Sequence, residues 1–245
     1  MEAAEYAAMD RLEQDMWWYQ GLHRLLGAVL GRFAPTGAAA TLDAGCGTGG
    51  LLRWLASGGP ERRLIGVEFA APAAALAKAK SGCPVAVGSV NALPLAGGSI
   101  QAVVSADVLC HARVHPTEAL AEAHRVLAPG GVLVANLPAY EWMKSAHDAR
   151  VHNVRRFARG QALAALRQAG FTPLWSSYWN SFLFPVMVVR RVLARSGEGA
   201  SDVRAYAGWI NRLLGFILAV ERRLILGGLR MPFGGSLLVV ARKNG

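Results

Sequence analysis

The sequence predicts an α/β protein built on a doubly wound, mostly parallel sheet. Through residues 38–136, short apolar runs alternate with helix-like stretches, a rhythm typical of parallel strands covered by helices on both faces. A glycine-rich turn follows the first of these runs directly. With 245 residues, 53% of them apolar, the chain can bury one large core, which excludes a disordered protein. These observations together predict a Rossmann-like domain.

The predicted elements follow in order along the chain. Residues 2–33 are predicted to form one helix that ends at Gly and Pro near 35–37. The expected strands and the helices between them then alternate. The strands are Ala39–Leu42, Leu64–Val67, Val85–Val87, Ala102–Ser105 and Val132–Ala135, and the helices are Leu51–Ala56, Pro72–Lys80 and Thr117–Leu127.

Beyond residue 136 the alternation loosens. A helix is predicted at Gly160–Ala169, with strands at Phe171–Trp179 and Leu237–Ala241. About 55 residues between those two strands are mainly helical in pattern, and we interpret them as an insertion packed on the end of the sheet. The expected organisation is one domain: an N-terminal helical cover (1–37), a ligand-binding core (38–180), a helical insertion or lid (181–230) and a final strand (231–245).

Charge is distributed unevenly. The formal net charge is +10, yet residues 1–149 hold 11 basic and 13 acidic side chains, whereas residues 150–245 hold 15 basic and 3 acidic ones. A basic half of this kind favours an anionic partner, either a small molecule, a lipid surface or a nucleic acid. The chain has no recognisable RNA-binding motif, so we expect no nucleic-acid partner. Peripheral membrane contact stays open, and the oligomeric state is not predicted.

Cellular location is predicted from three further features. The three cysteines have no disulfide or metal-ligand spacing, which favours a reducing compartment. The acidic N-terminus lacks the pattern of a signal peptide. Charges and Pro185 interrupt the apolar segments Phe182–Leu193 and Leu213–Leu229, so neither is predicted to span a membrane. We therefore expect a soluble, cytoplasmic protein.

The strongest functional signal is the glycine-rich turn at residues 42–50, LDAGCGTGG. Its glycines permit a sharp turn and close approach of a ligand, and the following helix start offers free N–H groups. The turn also satisfies G-x-G-x-x-G, the fingerprint of dinucleotide-binding sites, and Glu68 lies where an acid would bind the hydroxyls of a ribose. An NAD-linked oxidoreductase is therefore one interpretation. Asp43 argues against it, because a carboxylate there would repel a pyrophosphate yet tolerate an ammonium or sulfonium group.

Five segments in register resemble class I S-adenosylmethionine-dependent methyltransferases. They are Asp43-x-Gly45-x-Gly47-x-Gly49, Gly66–Phe69, Val87–Leu95, Ser105–His111 and Arg125–Gly131. The resemblance implies seven strands with the last antiparallel, S-adenosylmethionine as cofactor, and methyl transfer to O, N or C of a small molecule that is anionic or amphipathic. Weaker pieces, among them Met16–Tyr19 and Pro232–Leu238, resemble a bacterial group of mostly unassigned substrate, which suggests small-molecule or natural-product biosynthesis.

The resemblance also implies a set of cofactor-binding residues. The segment on the adenine side departs from the usual pattern, because Ser89 stands where an acid is common. A neutral hydroxyl is a weaker acceptor than a carboxylate, and Asn91 is expected to compensate. The implied residues are Asp43, Gly45, Cys46, Gly47, Gly49, Glu68, Phe69, Ser89, Val90, Asn91 and Asp107.

His111 follows the fourth strand, at the expected mouth of the site, and is the candidate general base, because an imidazole titrates near neutral pH. A packing role for it is an equal alternative. No metal site is expected. The residues expected to contact the acceptor are Trp18, Tyr19, Tyr140, His147 and Arg155. A non-catalytic protein on the same fold, associated with lipid or RNA, is a further interpretation that methyl transfer would exclude.

Overall fold

A computed structural model describes residues 3–34, 40–58, 62–193 and 206–244. Seven strands lie in this part of the chain: β1 Ala40–Ala44, β2 Arg63–Glu68, β3 Val85–Val87, β4 Ile100–Ala106, β5 Leu127–Pro138, β6 Phe171–Trp179 and β7 Ser236–Lys243. The helices are α1 Ala3–Leu12, α2 Trp17–Phe33, α3 Gly50–Ser57, α4 Ala71–Ser81, α5 Pro116–Val126, α6 Ala146–Arg150, α7 Arg159–Gln168, α8 Phe184–Leu193 and α9 Gly208–Leu226. A 3₁₀ turn lies at Glu141–Met143.

The strands form one sheet in the order β3-β2-β1-β4-β5-β7-β6. The pairs from β3 to β5 are parallel, whereas β7 is antiparallel to both of its neighbours. Strand order reverses between β1 and β4, and ligands of open α/β sheets bind at the carboxyl ends of strands near such a reversal. The predicted seven-stranded sheet with an antiparallel last strand is confirmed.

The sheet is buried on both faces by helices, as the unbroken apolar runs of its central strands require. All five residues of β1 are buried, and so are Val103 and Val104 of β4. Most predicted elements differ from the observed ones by only one or two residues at each end, with β5 longer than predicted. Ala39, the first residue of one predicted strand, lies outside the described residues.

The predicted N-terminal helix is wrong as a single element, because it breaks into α1 and α2 around Glu13–Met16. Glu13 turns inward at the break, accepts a hydrogen bond from Thr48 (2.8 Å) and pairs with Lys80. This buried polar contact holds α1 across the start of α3 instead of letting the helix continue straight.

The described part of the segment between β6 and β7 consists mainly of the helices α8 and α9, in agreement with the helical pattern of its sequence. Glu221, buried on α9, accepts hydrogen bonds from the backbone N–H groups of Ser181 (2.8 Å) and Phe182 (3.1 Å). Helix α9 also packs lengthwise on α2. Helices α2 and α9 therefore form one layer, and the contacts of α2 with β5 and of α9 with β6 place this layer on a face of the sheet.

Candidate functional site

A cavity of about 790 Å³ opens at the carboxyl edge of the sheet, where β1, β2 and β4 end. Its walls come from the glycine-rich turn, the N-terminal helices, the loops after β4 and β5, and helix α8. Side chains of both charge signs and several aromatic rings share the lining. The volume is in the range of small-molecule sites.

The glycine-rich turn is held against β2 by backbone hydrogen bonds from Gly45 and Cys46 to the carbonyl of Val67 (2.8 and 3.1 Å). Gly47 has φ +55° and donates its N–H to Glu68 Oε2 at 3.0 Å. Gly49 has φ +88°, and a Cβ there would lie 2.6 Å from the Cα of Ala77. Glycine is thus required at 49 for helix packing, and at 47 for the turn itself.

Asp43 is the most unusual group in the site. It is 2% exposed at the end of β1, and neither of its carboxylate oxygens has a hydrogen-bond partner among the described residues. Burial, together with the nearby Glu68 and Glu13, raises the pKa of Asp43 to about 8. A buried acceptor without a donor destabilises the protein until a donor arrives, so the position favours a ligand that carries a cationic group.

Glu13 is a site residue that sequence reasoning missed. Its carboxylate lies at the start of α3, where a Cβ on Gly50 would be 2.4 Å from Glu13 Oε2. Burial raises the pKa of Glu13, and the hydrogen bond from the Gly50 N–H opposes that shift. Helix N-termini are the places where pyrophosphates bind in dinucleotide sites. In this protein the Glu13 carboxylate lies at that helix N-terminus. Like Asp43, it disfavours binding of the pyrophosphate of NAD.

Helix α1 covers the glycine-rich turn. The hydroxyl of Tyr6 donates a hydrogen bond to Glu68 Oε1 at 2.9 Å, and Met9 Cε lies 2.7 Å from the position of a Cβ on Gly47. Burial raises the pKa of Tyr6 well above its usual range, so the phenol is a donor at physiological pH. The second Glu68 oxygen meets the Gly47 N–H, so both carboxylate oxygens are aligned by donors before a ligand binds.

Most of the implied cofactor-binding residues line this half of the cavity, but two do not. Gly49 packs against α4, and Asn91 ties its loop to the next one: it donates to the carbonyl of Arg113 (2.9 Å) and accepts from the His115 N–H (3.0 Å). Asn91 therefore cannot compensate for Ser89 directly. The residues from the implied set that do line the cavity are Asp43, Gly45, Cys46, Gly47, Glu68, Phe69, Ser89, Val90 and Asp107.

Asp107 lies directly after β4 with φ +54°, a conformation that non-glycine residues rarely adopt. Its Oδ1 accepts a hydrogen bond from Asn136 Nδ2 (3.0 Å), and Asn136 Oδ1 accepts one from Trp179 Nε1 (2.6 Å). Burial raises the pKa of Asp107 to about 7, although Asn136 and Arg156 oppose the shift. The carboxyl is thus fixed in orientation and can exchange a proton near neutral pH.

His111 lines the same cavity in a half-buried position. Burial lowers the pKa of His111 below 6.5, although the carbonyl of Val151 opposes the shift. The ring is consequently neutral at pH 7 and able to accept a proton. His111 lines the cavity, and its role as a base stays a prediction. Asp107, which the sequence assigns to cofactor binding, has a pKa near neutral pH and is a second candidate base.

Of the residues expected to contact the acceptor, Trp18 and Tyr19 line the cavity, and Trp18 stacks on Trp179 with ring centroids 6.0 Å apart. Arg155 does not line it. Its guanidinium donates to three backbone carbonyls, those of Leu109, His111 and Val114, so it holds the loop after β4 and is not available as an anion clamp.

Tyr140 also lies outside the lining, because its ring is stacked between Tyr178 (5.1 Å) and Trp142 (5.7 Å). His147 falls in helix α6, but its side chain lies outside the described residues. Arg156, next to Arg155 in the sequence, was not among the residues expected to contact the acceptor. It lines the cavity and forms a buried ion pair with Asp148 (2.9 Å).

The outer half of the cavity combines apolar walls with exposed cations. Met187 and Trp142 supply apolar surface, and Arg113 and Arg190 bring positive charge to the rim, where Lys144 is paired with Glu141. Within the ranges that the structure covers, no group of three or more His, Cys, Asp or Glu side chains is arranged to hold a metal ion. No helix in those same ranges is long and apolar enough to cross a membrane.

Comparison with known proteins agrees with this geometry. Residues 42–135 match the model of the family described as "Methyltransferase domain". A curated relative, 24-methylenesterol C-methyltransferase 2 of Arabidopsis thaliana, is 33% identical over 138 residues, which are 51% of this chain and 37% of that protein. The chain therefore spans little more than a third of the length of the curated relative it matches.

Solved structures with the same fold include a putative methyltransferase of Haloferax volcanii in complex with the activator Trm112 (TM-score 0.65, 20% identity, 99% of this chain and 95% of that chain). Another is geranyl diphosphate C-methyltransferase of Streptomyces coelicolor, crystallised with Mg²⁺, geranyl diphosphate and S-adenosyl-L-homocysteine (TM-score 0.59, 15% identity, 89% and 79%). At these identities the likeness is one of fold.

Proposed function

Because the chain belongs to the class I S-adenosylmethionine-dependent methyltransferases, we propose that it transfers a methyl group from S-adenosylmethionine to a small molecule. The observation that carries this proposal is the acid-lined inner half of the cavity, with the unpaired Asp43 carboxyl at its base. When bound, the cofactor supplies an electrophilic methyl group on a sulfonium centre. Its cationic groups complement Asp43, and its ribose hydroxyls suit the aligned carboxylate of Glu68.

The protein's own contribution is chiefly to position two molecules and exclude water. In this proposal the core, residues 38–180, holds the cofactor. The N-terminal cover (1–37) lies over the cofactor at the glycine-rich turn and adds Trp18 and Tyr19 to the acceptor side, which the segment 181–230 closes. His111 and Asp107 both line the cavity. One of them takes up the acceptor's proton where the acceptor carries one. The three unpaired cysteines suit a reducing cytoplasm.

We infer the acceptor class from the chemistry of the outer wall of the cavity. Apolar surface from Met187 and Trp142 beside the cations Arg113 and Arg190 suits a molecule with an apolar body and an anionic group. We propose small-molecule or natural-product biosynthesis as the setting of the reaction, which the resemblance of Met16–Tyr19 and Pro232–Leu238 to a bacterial group supports.

Ligand binding tests the proposal directly. By calorimetry, S-adenosylmethionine and S-adenosylhomocysteine will bind and NAD will not. Glu68→Ala will weaken binding of both by roughly 1.5–3 kcal/mol, the scale of hydrogen bonds to a charged group. Glu118→Ala, at an exposed glutamate on α5, is the matched control and will bind like wild type. Tight NAD binding without binding of the sulfonium compound would refute the proposal, and transfer of a labelled methyl group to cell-extract small molecules separates an enzyme from a binding protein.

Asp43→Asn will move stability and binding in opposite directions. The folded pKa of Asp43, about 8, lies above its unfolded value, so the empty protein loses stability as pH rises from about 4 to about 8. The variant removes that loss and will raise the free energy of unfolding at neutral pH by roughly 1–3 kcal/mol, measured by urea unfolding. Its cofactor affinity will fall and lose the rise between pH 6 and 8 expected of wild type. A variant that is less stable than wild type when empty would contradict this account of Asp43.

A further inference from the structure

Helix α9 has apolar residues on the face that points away from the protein. Trp209, Leu213, Phe216 and Leu224 are 64, 50, 63 and 41% exposed. Their spacing of four, three and eight residues places them along one side of the helix. A surface helix normally turns a polar side outward, and an exposed apolar stripe on a folded protein marks an interaction surface.

The stripe is fixed in place, since α9 is tied to α2 at both ends. Asn211 accepts a hydrogen bond from the Trp17 N–H (2.8 Å) and donates one to the carbonyl of Asp15 (2.7 Å). Near the other end, Arg32 donates to the carbonyl of Leu226 (3.0 Å). The inner side of the helix buries Leu218 and Ile225. The outward apolar side chains therefore take no part in packing α9 against the rest of the protein.

The charged side chains that α9 itself exposes are all positive. Helix α9 carries Arg212, Arg222 and Arg223, and its one acid, Glu221, is buried and bonded to backbone N–H groups. Arg24 of α2 lies close enough to Arg222 that burial, Arg24 and Arg223 together lower the pKa of Arg222. Among the described residues, these arginines have no acidic side chain within ion-pair distance.

An apolar stripe bordered by arginines has the composition of a helix that lies in the interface of a bilayer. We propose that the outward face of α9 docks on the surface of a membrane rich in anionic lipid. The apolar side chains enter the headgroup boundary, and the arginines contact lipid phosphates. A second copy of the chain fits less well, because a symmetric contact would bring two sets of arginines together.

The start of α9 adjoins the cavity through Tyr206, which lines it and meets the ring of Trp17 at 6.3 Å. Docking would thus place the cavity beside the lipid surface. An amphipathic acceptor could then reach the site without crossing bulk water, a consequence that rests on the proposed function, whereas docking itself does not.

Co-sedimentation with vesicles tests the docking without cofactor or acceptor, so its result is independent of catalysis. The full chain will sediment with vesicles of phosphatidylcholine and phosphatidylglycerol, weakly with phosphatidylcholine alone, and less as salt rises. The double variant Trp209→Gln, Phe216→Gln will lower the partition coefficient at least about tenfold, because two large side chains no longer leave water.

The matched control is Leu76→Gln, which changes an exposed leucine on α4 (42%) and will sediment like wild type. Circular dichroism and size-exclusion chromatography accompany each variant to report folding and oligomeric state. The proposal is overturned if wild type ignores anionic vesicles, or if the double variant binds them as wild type does. It is also overturned if the double substitution only converts a dimer to a monomer, which would make the face a contact between copies.

Discussion

His111→Ala will lower the rate of methyl transfer by roughly 10²–10⁴ while leaving the affinity for S-adenosylmethionine nearly unchanged. The expectation follows from a half-buried imidazole that lines the cavity and has a pKa below 6.5, so that it is unprotonated at neutral pH. The measurement is a single-turnover rate with labelled cofactor, together with calorimetry of each variant.

The pH profile distinguishes His111 from Asp107. With His111 as base, the rate stays level through neutral pH and falls only below pH 6.5, because the ring must be unprotonated to accept a proton. With Asp107 as base, the fall is centred near pH 7, where that carboxyl titrates. A tenfold or smaller loss in His111→Ala beside a large loss in Asp107→Asn would transfer the role to Asp107. Small losses in both would mean that the acceptor needs no base.

Gly47→Asp will abolish cofactor binding. Its Cβ would lie 2.7 Å from Met9 Cε, its φ of +55° is strained for any residue with a side chain, and its carboxylate would join Asp43 and Glu68 in an already acidic site. We expect no measurable heat with S-adenosylmethionine or S-adenosylhomocysteine at concentrations that saturate wild type.

Gly98→Asp is the control, since Gly98 has a similar φ of +69° and open space around its Cβ position. It introduces the same backbone strain and charge far from the cavity, and will bind cofactor like wild type. Retention of binding in Gly47→Asp, or an equal loss in both variants, would show that the turn does not form the site as described.

The sequence predicted the elements well where one physical signal dominates. Buried parallel strands need continuous apolar runs, and the turn after β1 needs glycine, so both features can be predicted from the sequence alone. It failed at residues 13–16, because the helix break there depends on Glu13 meeting Thr48 and Lys80, partners that lie far along the chain.

Side-chain direction was the second gap. Arg155 and Arg156 are adjacent and chemically identical. Arg155 donates hydrogen bonds to loop carbonyls, whereas Arg156 lines the cavity beside Asp148. Which way each points depends on the loop after β5 and on its packing against the loop after β4. No local pattern encodes that choice. Tyr140 and Asn91 likewise contact distant residues instead of lining the cavity, Tyr140 at Tyr178 and Asn91 at Arg113.

The antiparallel direction of β7 has a consequence for how this protein can change. Because β7 begins at the edge where β6 ends, the chain leaves and re-enters the sheet on the same rim, and Ser181 meets the carbonyl of Phe233 (2.5 Å) at the junction. The entropy of closing such an excursion grows slowly, by about 0.6 kcal/mol for each doubling of its length. The segment between the two strands can therefore be lengthened, shortened or exchanged without changing the register of the sheet. We expect such changes to alter the wall that α8 gives the cavity, while the parallel strands that carry the glycine-rich turn stay in place.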